Sequence, residues 1–149
     1  LYKNKNKDKT PGKTSIGNFL YTPIDQTDPN LWKPLGFNNG VKKLELNISE
    51  ISLLAKKMNA EFYILIYPWP DTLEFGQKQF NLEKFTTDLC LKIYCMSIIN
   101  TFSEFEEVRK TDKENWLNKL YILGDLHVNK FGHKLIADKI STEVFSNEK

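Results

Sequence analysis

The feature that most constrains the fold is an apolar run, FYILIY at 62–67, which Pro68-Trp69-Pro70 closes. A β-rich run without polar alternation, bounded by prolines, predicts a strand buried on both faces, as in a parallel sheet. The run CMSII at 95–99 predicts a second strand. In such sheets ligands bind beyond the carboxyl ends of the strands, and Pro68-Trp69-Pro70 follows one such end.

Helical patterns surround the two strands. Apolar residues spaced three and four apart, or helical composition, mark four segments: 41–59, 81–93, about 112–121 and 130–145. Asn129 is the expected N-cap of the last helix, and 103–115 is expected to be a polar segment. The order helix, strand, helix, strand, helix is typical of an α/β sandwich with a parallel sheet.

The chain divides near residue 40. Residues 1–13 are rich in lysine and are expected to form a solvated basic arm. Residues 14–40 are rich in Pro, Asn, Asp and Gly, and we expect an irregular segment pinned by its aromatic side chains. Residues 41–149 then form the α/β part.

Composition excludes some partners. The net charge is only +2 and Arg109 is the only arginine, whereas DNA readers use arginines for bidentate base contacts, so no nucleic-acid partner is expected. The sequence contains no run of 18 apolar residues, so we expect no membrane span. Cys90 and Cys95 match neither a zinc motif nor a Cys-x-x-Cys pair, and we expect buried free thiols. The two cysteines leave the redox compartment undetermined.

The clearest chemical signal is GDLHVNKFGH at 124–133. Asp125 precedes His127 by two positions, and in an extended loop residues i and i+2 point to the same side, roughly 6–7 Å apart at Cα. The Asp125 carboxylate can then reach the ring of His127 and fix its tautomer. A histidine held in this way is what a general base on a nucleophilic serine requires.

Two nearby residues have weaker signals. A metal site needs three or four converging donors, and His133 is expected to face solvent from the first turn of the last helix, so we expect neither a metal ion nor a cofactor. Trp69 either lines a substrate cleft or covers the core, and the sequence leaves both alternatives open.

The chain resembles the C-terminal part of the SGNH (GDSL-type) hydrolase superfamily over roughly residues 41–145. Three stretches carry the resemblance: FYILIYPWP, LCLKIYCMSIINTFSEF and GDLHVNKFGHKLIADKI. It implies a flavodoxin-like, three-layer α/β/α sandwich with His127 as general base and Asp125 as its orienting carboxylate. Many members have two residues between Asp and His. The spacing found here, with Leu126 as the one residue between Asp125 and His127, also occurs in relatives that act on O-acetylated polysaccharides.

The family's nucleophile has no counterpart here. It lies in a Gly-Asp-Ser turn after the first strand, and no such triplet stands in the 149 residues. Gly36-Phe37-Asn38-Asn39 imitates the family's oxyanion motif, which makes Asn38 a weak candidate for an oxyanion donor. We expect an N-terminally incomplete domain whose serine lies upstream of Leu1, so this chain alone should be inactive. It would pair with its missing half or self-associate.

The leading hypothesis is therefore an SGNH-type serine esterase acting on small acyl esters, including O-acetylated carbohydrate. The same chemistry with an alcohol acceptor gives an O-acyltransferase. The alternative from another class is a non-catalytic α/β binding module that lacks a nucleophile. A weaker possibility is binding of an anionic polymer by residues 1–13.

Overall fold

The computed structural model describes residues 12–13, 20–21, 36–78, 80–125 and 127–145. Its elements in chain order are β1 (Gly12–Lys13), β2 (Leu20–Tyr21), α1 (Gly36–Lys57), β3 (Tyr63–Ile66), α2 (Pro70–Phe75), α3 (Leu82–Cys90), β4 (Ser97–Asn100), α4 (Phe102–Thr111), α5 (Trp116–Leu120) and α6 (Lys130–Phe145). The described part is therefore a mixed α/β structure. The rest of the predicted basic arm and irregular segment before Gly36 lies outside the described residues.

Strands β3 and β4 form a parallel pair, which confirms the predicted parallel sheet, and Tyr63 aligns with Ser97. The pair ends where Thr101 donates both its backbone N–H and its hydroxyl to the Ile66 carbonyl oxygen, each at 3.1 Å. Strands β1 and β2 form a separate antiparallel pair. The carboxyl edge of the parallel pair is thus fixed by a buried threonine.

Burial of β3 is one-sided, so the prediction of a strand buried on both faces is wrong for the described structure. Ile64 and Ile66 are buried, whereas Leu65, which points to the other face, is 39% exposed. Side chains alternate across a strand, and only the face of Ile64 and Ile66 is closed.

A core cluster of buried residues joins α2 to the C-terminal helices. It is formed by Leu73, Phe105, Val108, Trp116, Leu120, Tyr121, Val128 and Ile136. These residues come from α2, α4, α5, α6 and the segment between α5 and α6. This core fixes the position of the segment that contains Asp125 and His127.

Several boundaries differ from the predictions. Helix α4 overlaps most of the predicted polar segment 103–115. Its buried residues are Phe105 and Val108, which lie among charged residues. Helix α1 begins at Gly36, so the last five residues of the predicted irregular segment 14–40 are helical. The prediction for α6, by contrast, is confirmed at both ends.

The two cysteines are not free thiols. Cys90, the last residue of α3, and Cys95 form a disulfide with their Cα atoms 5.2 Å apart. The turn after α3 reverses the chain enough to bring the two Cα atoms within the range that a disulfide can bridge. The prediction considered metal and redox motifs of shorter spacing and overlooked this closure.

We expect removal of the disulfide by the double substitution Cys90→Ser and Cys95→Ser to lower the free energy of unfolding. Loop-closure entropy for a ring this short gives about 2 kcal/mol. Urea denaturation of the two proteins measures the difference, and titration with a thiol reagent under denaturing conditions reports the redox state of the starting protein. Equal stability of oxidised wild type and double variant would contradict this role.

An ion pair joins α4 to α6. Lys139 Nζ lies 2.9 Å from Glu104 Oε1 and 3.1 Å from Glu143 Oε1. Burial alone would raise the pKa of Glu104. Its hydrogen bonds, of which the one with Lys139 has the largest effect, outweigh burial and hold the pKa below the ordinary value of 4.5. Hydrogen bonds to Glu104 and Glu143 raise the pKa of Lys139.

This pair predicts a pH-dependent contribution to stability. Because folding lowers the pKa of Glu104, its ionised form stabilises the fold above the unfolded-state pKa, and the contribution disappears as pH falls through the folded-state pKa. Glu104→Gln should lower the unfolding free energy at pH 7 by about 1 kcal/mol or less, and this loss should shrink at pH 3. Urea denaturation at both pH values tests this, with Glu107→Gln, an exposed site on the same helix, as control.

Candidate active site

Asp125 and His127 lie in a small hairpin, residues 121–128, between α5 and α6. Tyr121 and Val128 form an antiparallel bridge at its base. The Ile122 N–H donates to the His127 carbonyl oxygen at 2.9 Å, and the Asp125 N–H donates to the Ile122 carbonyl oxygen at 2.9 Å. These backbone bonds place both functional side chains at the tip of the hairpin.

Gly124 allows the chain to turn before Asp125. Its φ is +79°, a left-handed conformation in which a Cβ is strained. The residue that starts the GDLH motif therefore has a backbone reason to be glycine. The turn it makes presents the carboxylate of Asp125 to the ring two residues later.

The carboxylate and the imidazole are in direct contact. His127 Nδ1 lies 2.6 Å from Asp125 Oδ1, and the same oxygen accepts the His127 backbone N–H at 3.1 Å. This contact is the one that the two-residue spacing predicted. With its Nδ1–H donated to the carboxylate, the neutral ring has Nε2 as its unprotonated nitrogen, which is the arrangement that a general base needs.

The pair is open to solvent. The side chains of His127 and Asp125 are 80% and 47% exposed. Exposure gives a substrate direct access to Nε2. It also means that water screens the attraction between the carboxylate and an imidazolium, so the pair orients the ring more than it stabilises the ring's charge.

Asn129 links the two helices on either side of the hairpin. Its Oδ1 accepts the backbone N–H groups of Phe131 and Gly132, which confirms it as the N-cap of α6. Its Nδ2 donates to the carbonyl oxygens of Asn118 and Lys119 near the end of α5, at 2.9 and 3.0 Å. One side chain thus satisfies free groups at both helix ends.

Gly132 allows α6 to approach α5 closely. A Cβ at this position would lie 2.6 Å from the Leu120 carbonyl oxygen and 3.1 Å from Val128 Cβ. Only glycine permits this separation without movement of the backbone. Together with Asn129, it fixes the position where the hairpin ends and the helix begins.

The hairpin is also joined to the sheet. Tyr121 is buried, and its hydroxyl donates to the Pro68 carbonyl oxygen at 2.7 Å. Burial, with a smaller contribution from Tyr67, raises the pKa of Tyr121, which keeps the hydroxyl protonated as a donor. Because Pro68 follows β3, this bond joins the base of the hairpin to the carboxyl end of the strand, the edge at which ligands bind in α/β proteins.

Trp69 follows Pro68 directly and is half-exposed at the start of α2. Trp69 therefore lies next to the residue at the end of β3 that accepts the Tyr121 hydroxyl bond. The open side chain favours the cleft alternative over a core plug. Its role in binding stays a prediction.

The remaining candidates lie elsewhere or face water. Asn38 is exposed in the first turn of α1 rather than in a loop after a strand, so its oxyanion role is a prediction without a geometric counterpart. His133 is exposed in the first turn of α6. Within the described ranges, no three His, Cys, Asp or Glu side chains converge to hold a metal ion. No helix in those ranges has both the length and the apolar character to cross a bilayer.

Three supporting contacts were not predicted from the sequence. The hydroxyl of Tyr121 bonds to the residue after β3, 53 positions away, which no local pattern indicates. The hydrogen bonds that Asn129 Nδ2 donates were not predicted, because an N-cap motif indicates only the acceptor role of Oδ1. Gly132 could have been found, since a glycine in the first turn of a predicted helix signals a close backbone approach.

Comparison with known proteins gives no relatives. No protein-family model matches the chain, and searches of curated proteins and of solved structures also find no match.

Asn129 should be the residue on which the hairpin most depends. Asn129→Ala removes the cap and both groups of bonds, and we expect it to cost about 2 kcal/mol of unfolding free energy. Asn129→Ser retains a cap acceptor but cannot reach α5. Its unfolding free energy should therefore lie between those of wild type and the alanine variant. Urea denaturation measures the order of stability, and a wild-type value for the alanine variant would be inconsistent with the bonds described.

Proposed function

We propose that this chain supplies the general base of an SGNH-type serine ester hydrolase. The observation that carries the proposal is the 2.6 Å contact between His127 Nδ1 and Asp125 Oδ1, in a hairpin whose base is bonded to the residue after β3. That contact sets the tautomer and orientation of an accessible imidazole, two requirements of the base in a serine triad.

The chemistry assigns one role to each side chain. A serine hydroxyl attacks the ester carbonyl while His127 Nε2 takes its proton, and the imidazolium then protonates the departing alcohol. Water repeats the sequence on the acyl-enzyme, releasing the acid and restoring the serine. Asp125 keeps Nε2 directed at the serine. Replacing water by an alcohol acceptor gives acyl transfer with the same groups.

The serine would come from outside these 149 residues, because Gly-Asp-Ser does not occur in them. The hydroxyls of Ser49 and Ser52 in α1 bond to the carbonyl oxygens of Glu45 and Tyr94, which does not resemble an activated nucleophile. The missing part would add strands to the β3–β4 pair and complete a three-layer sandwich. The half-open face at Leu65 supports this, since parallel sheets are normally covered on both faces.

The substrate class in this proposal is a small acyl ester, with O-acetylated carbohydrate as the specific choice. An exposed tryptophan next to the strand end offers a flat apolar surface on which a sugar ring can stack. Trp69 is the residue that fits this role.

Absence of the Gly-Asp-Ser triplet also favours a second candidate, a binding module of the same fold without catalysis. In that case Asp125 and His127 would only shape the hairpin tip. The two candidates differ in whether the natural full-length protein has a reactive serine.

The decisive experiment compares ester hydrolysis by the natural full-length protein containing this chain with that of its His127→Ala variant. We expect kcat for p-nitrophenyl acetate to fall about 10³-fold or more, because a triad member is lost. His133→Ala is the matched control, since this histidine is also exposed and six positions away. It corrects for simple imidazole catalysis of this reactive ester.

Asp125→Asn should lower kcat by less than His127→Ala does, because the amide can hydrogen-bond to the ring but stabilises the wrong tautomer. Nitrogen NMR of the 149-residue chain would report which ring nitrogen of His127 carries the proton in the neutral form. Labelling by a fluorophosphonate should succeed in the full-length protein and fail in this chain. Unlabelled full-length protein with unchanged turnover in His127→Ala would favour the binding module and reject the esterase.

A further inference from the structure

Helix α1 exposes a regular stripe of four apolar side chains and one asparagine. Leu44, Asn47, Ile51, Leu54 and Met58 recur alternately every three or four residues, and we call this set the α1 stripe. All five side chains are exposed. Met58 extends the helical hydrogen-bond pattern, since its N–H donates to the Leu54 carbonyl oxygen at 3.0 Å. Their spacing is that of the a and d positions of a heptad repeat.

A different face attaches α1 to the rest of the protein. Ser52 is buried, and its hydroxyl donates to the Tyr94 carbonyl oxygen at 2.7 Å. Glu45 on the same face lies 3.9 Å from Lys92 Nζ. At 100° per residue, Glu45 and Ser52 lie about a quarter turn or more from the centre of the α1 stripe. The stripe is therefore directed away from the contacts that hold the helix.

We propose that the α1 stripe is the interface with a second copy of this chain, packed antiparallel along the same stripe. An apolar seam with a 3.5-residue average period fits another helix with the same period. A two-fold axis near the middle of the stripe places Ile51 against Leu54 of the second copy, and the symmetry repeats this layer once more. This interface is independent of the proposed hydrolase function.

Charge complementarity selects the antiparallel arrangement. Glu50 and Lys57 flank the stripe on one side, both exposed, at the g positions when Ile51 is an a position. Among the described residues neither of them takes part in an ion pair. In the antiparallel register, Glu50 lies opposite Lys57 of the second copy, and symmetry makes the pair twice. In a parallel pair, Glu50 would instead lie opposite Ala55, which has no charge.

Two neighbouring leucines give a matched test. Leu54 is in the stripe and Leu53 is on another face of α1, yet their exposures are 57% and 56%. We expect wild type to sediment as a concentration-dependent dimer, Leu54→Asp to stay monomeric at the same concentrations, and Leu53→Asp to behave as wild type. Circular dichroism of each variant verifies that α1 is still helical. A monomeric wild type, or equal effects of the two substitutions, would overturn the proposal.

Charge exchange tests the direction of packing. Glu50→Lys and Lys57→Glu each replace two attractive pairs by two repulsive ones, and each should weaken the dimer roughly tenfold. An equimolar mixture of these two variants restores both pairs in a heterodimer and should regain wild-type affinity. Lys42→Glu, which changes an exposed charge away from the stripe, is the control and should leave the affinity unchanged. A mixture that stays as weak as its components would reject the antiparallel register.

Discussion

The bond from the Tyr121 hydroxyl to the Pro68 carbonyl oxygen connects the hairpin of Asp125 and His127 to the parallel strands. Tyr121 packs against Phe105 and Trp116, with ring centroids 6.0 and 6.3 Å away. Its backbone begins the hairpin that holds Asp125 and His127. The tyrosine therefore transmits the position of β3 to the catalytic candidates through one buried, fully packed side chain, and a phenol is long enough to do this while leaving its ring in the core.

The predictable part of this structure is the part set by local pattern. Helix α6 has a clear apolar period and a capping asparagine, so both its ends were predicted. The contact of Asp125 with His127 agrees with their two-residue separation, and the turn at Gly124 assists it. Helix α4 was missed because its burial depends on Phe105 and Val108, two residues among many charges, and tertiary packing decides its state.

Other features could not be inferred because they depend on residues distant in sequence or on how the chain turns. The Tyr121 bond spans 53 positions. The disulfide required knowledge of the turn after α3, since spacing alone does not determine the distance between two cysteines. The one-sided burial of β3 depends on which elements surround it, and an apolar run is compatible with either result.

Two of the exposed apolar surfaces in the described part of the chain have different physical solutions. Leu65 is half-open on a parallel sheet, where the natural cover is further strands and helices of the same domain. The α1 stripe is a helix face with a repeating seam and flanking charges of opposite sign, which suits a second helix better than a sheet. A sheet presents no matching heptad period and would leave Glu50 and Lys57 unpaired. The face of Leu65 and the α1 stripe therefore call for partners of different kinds.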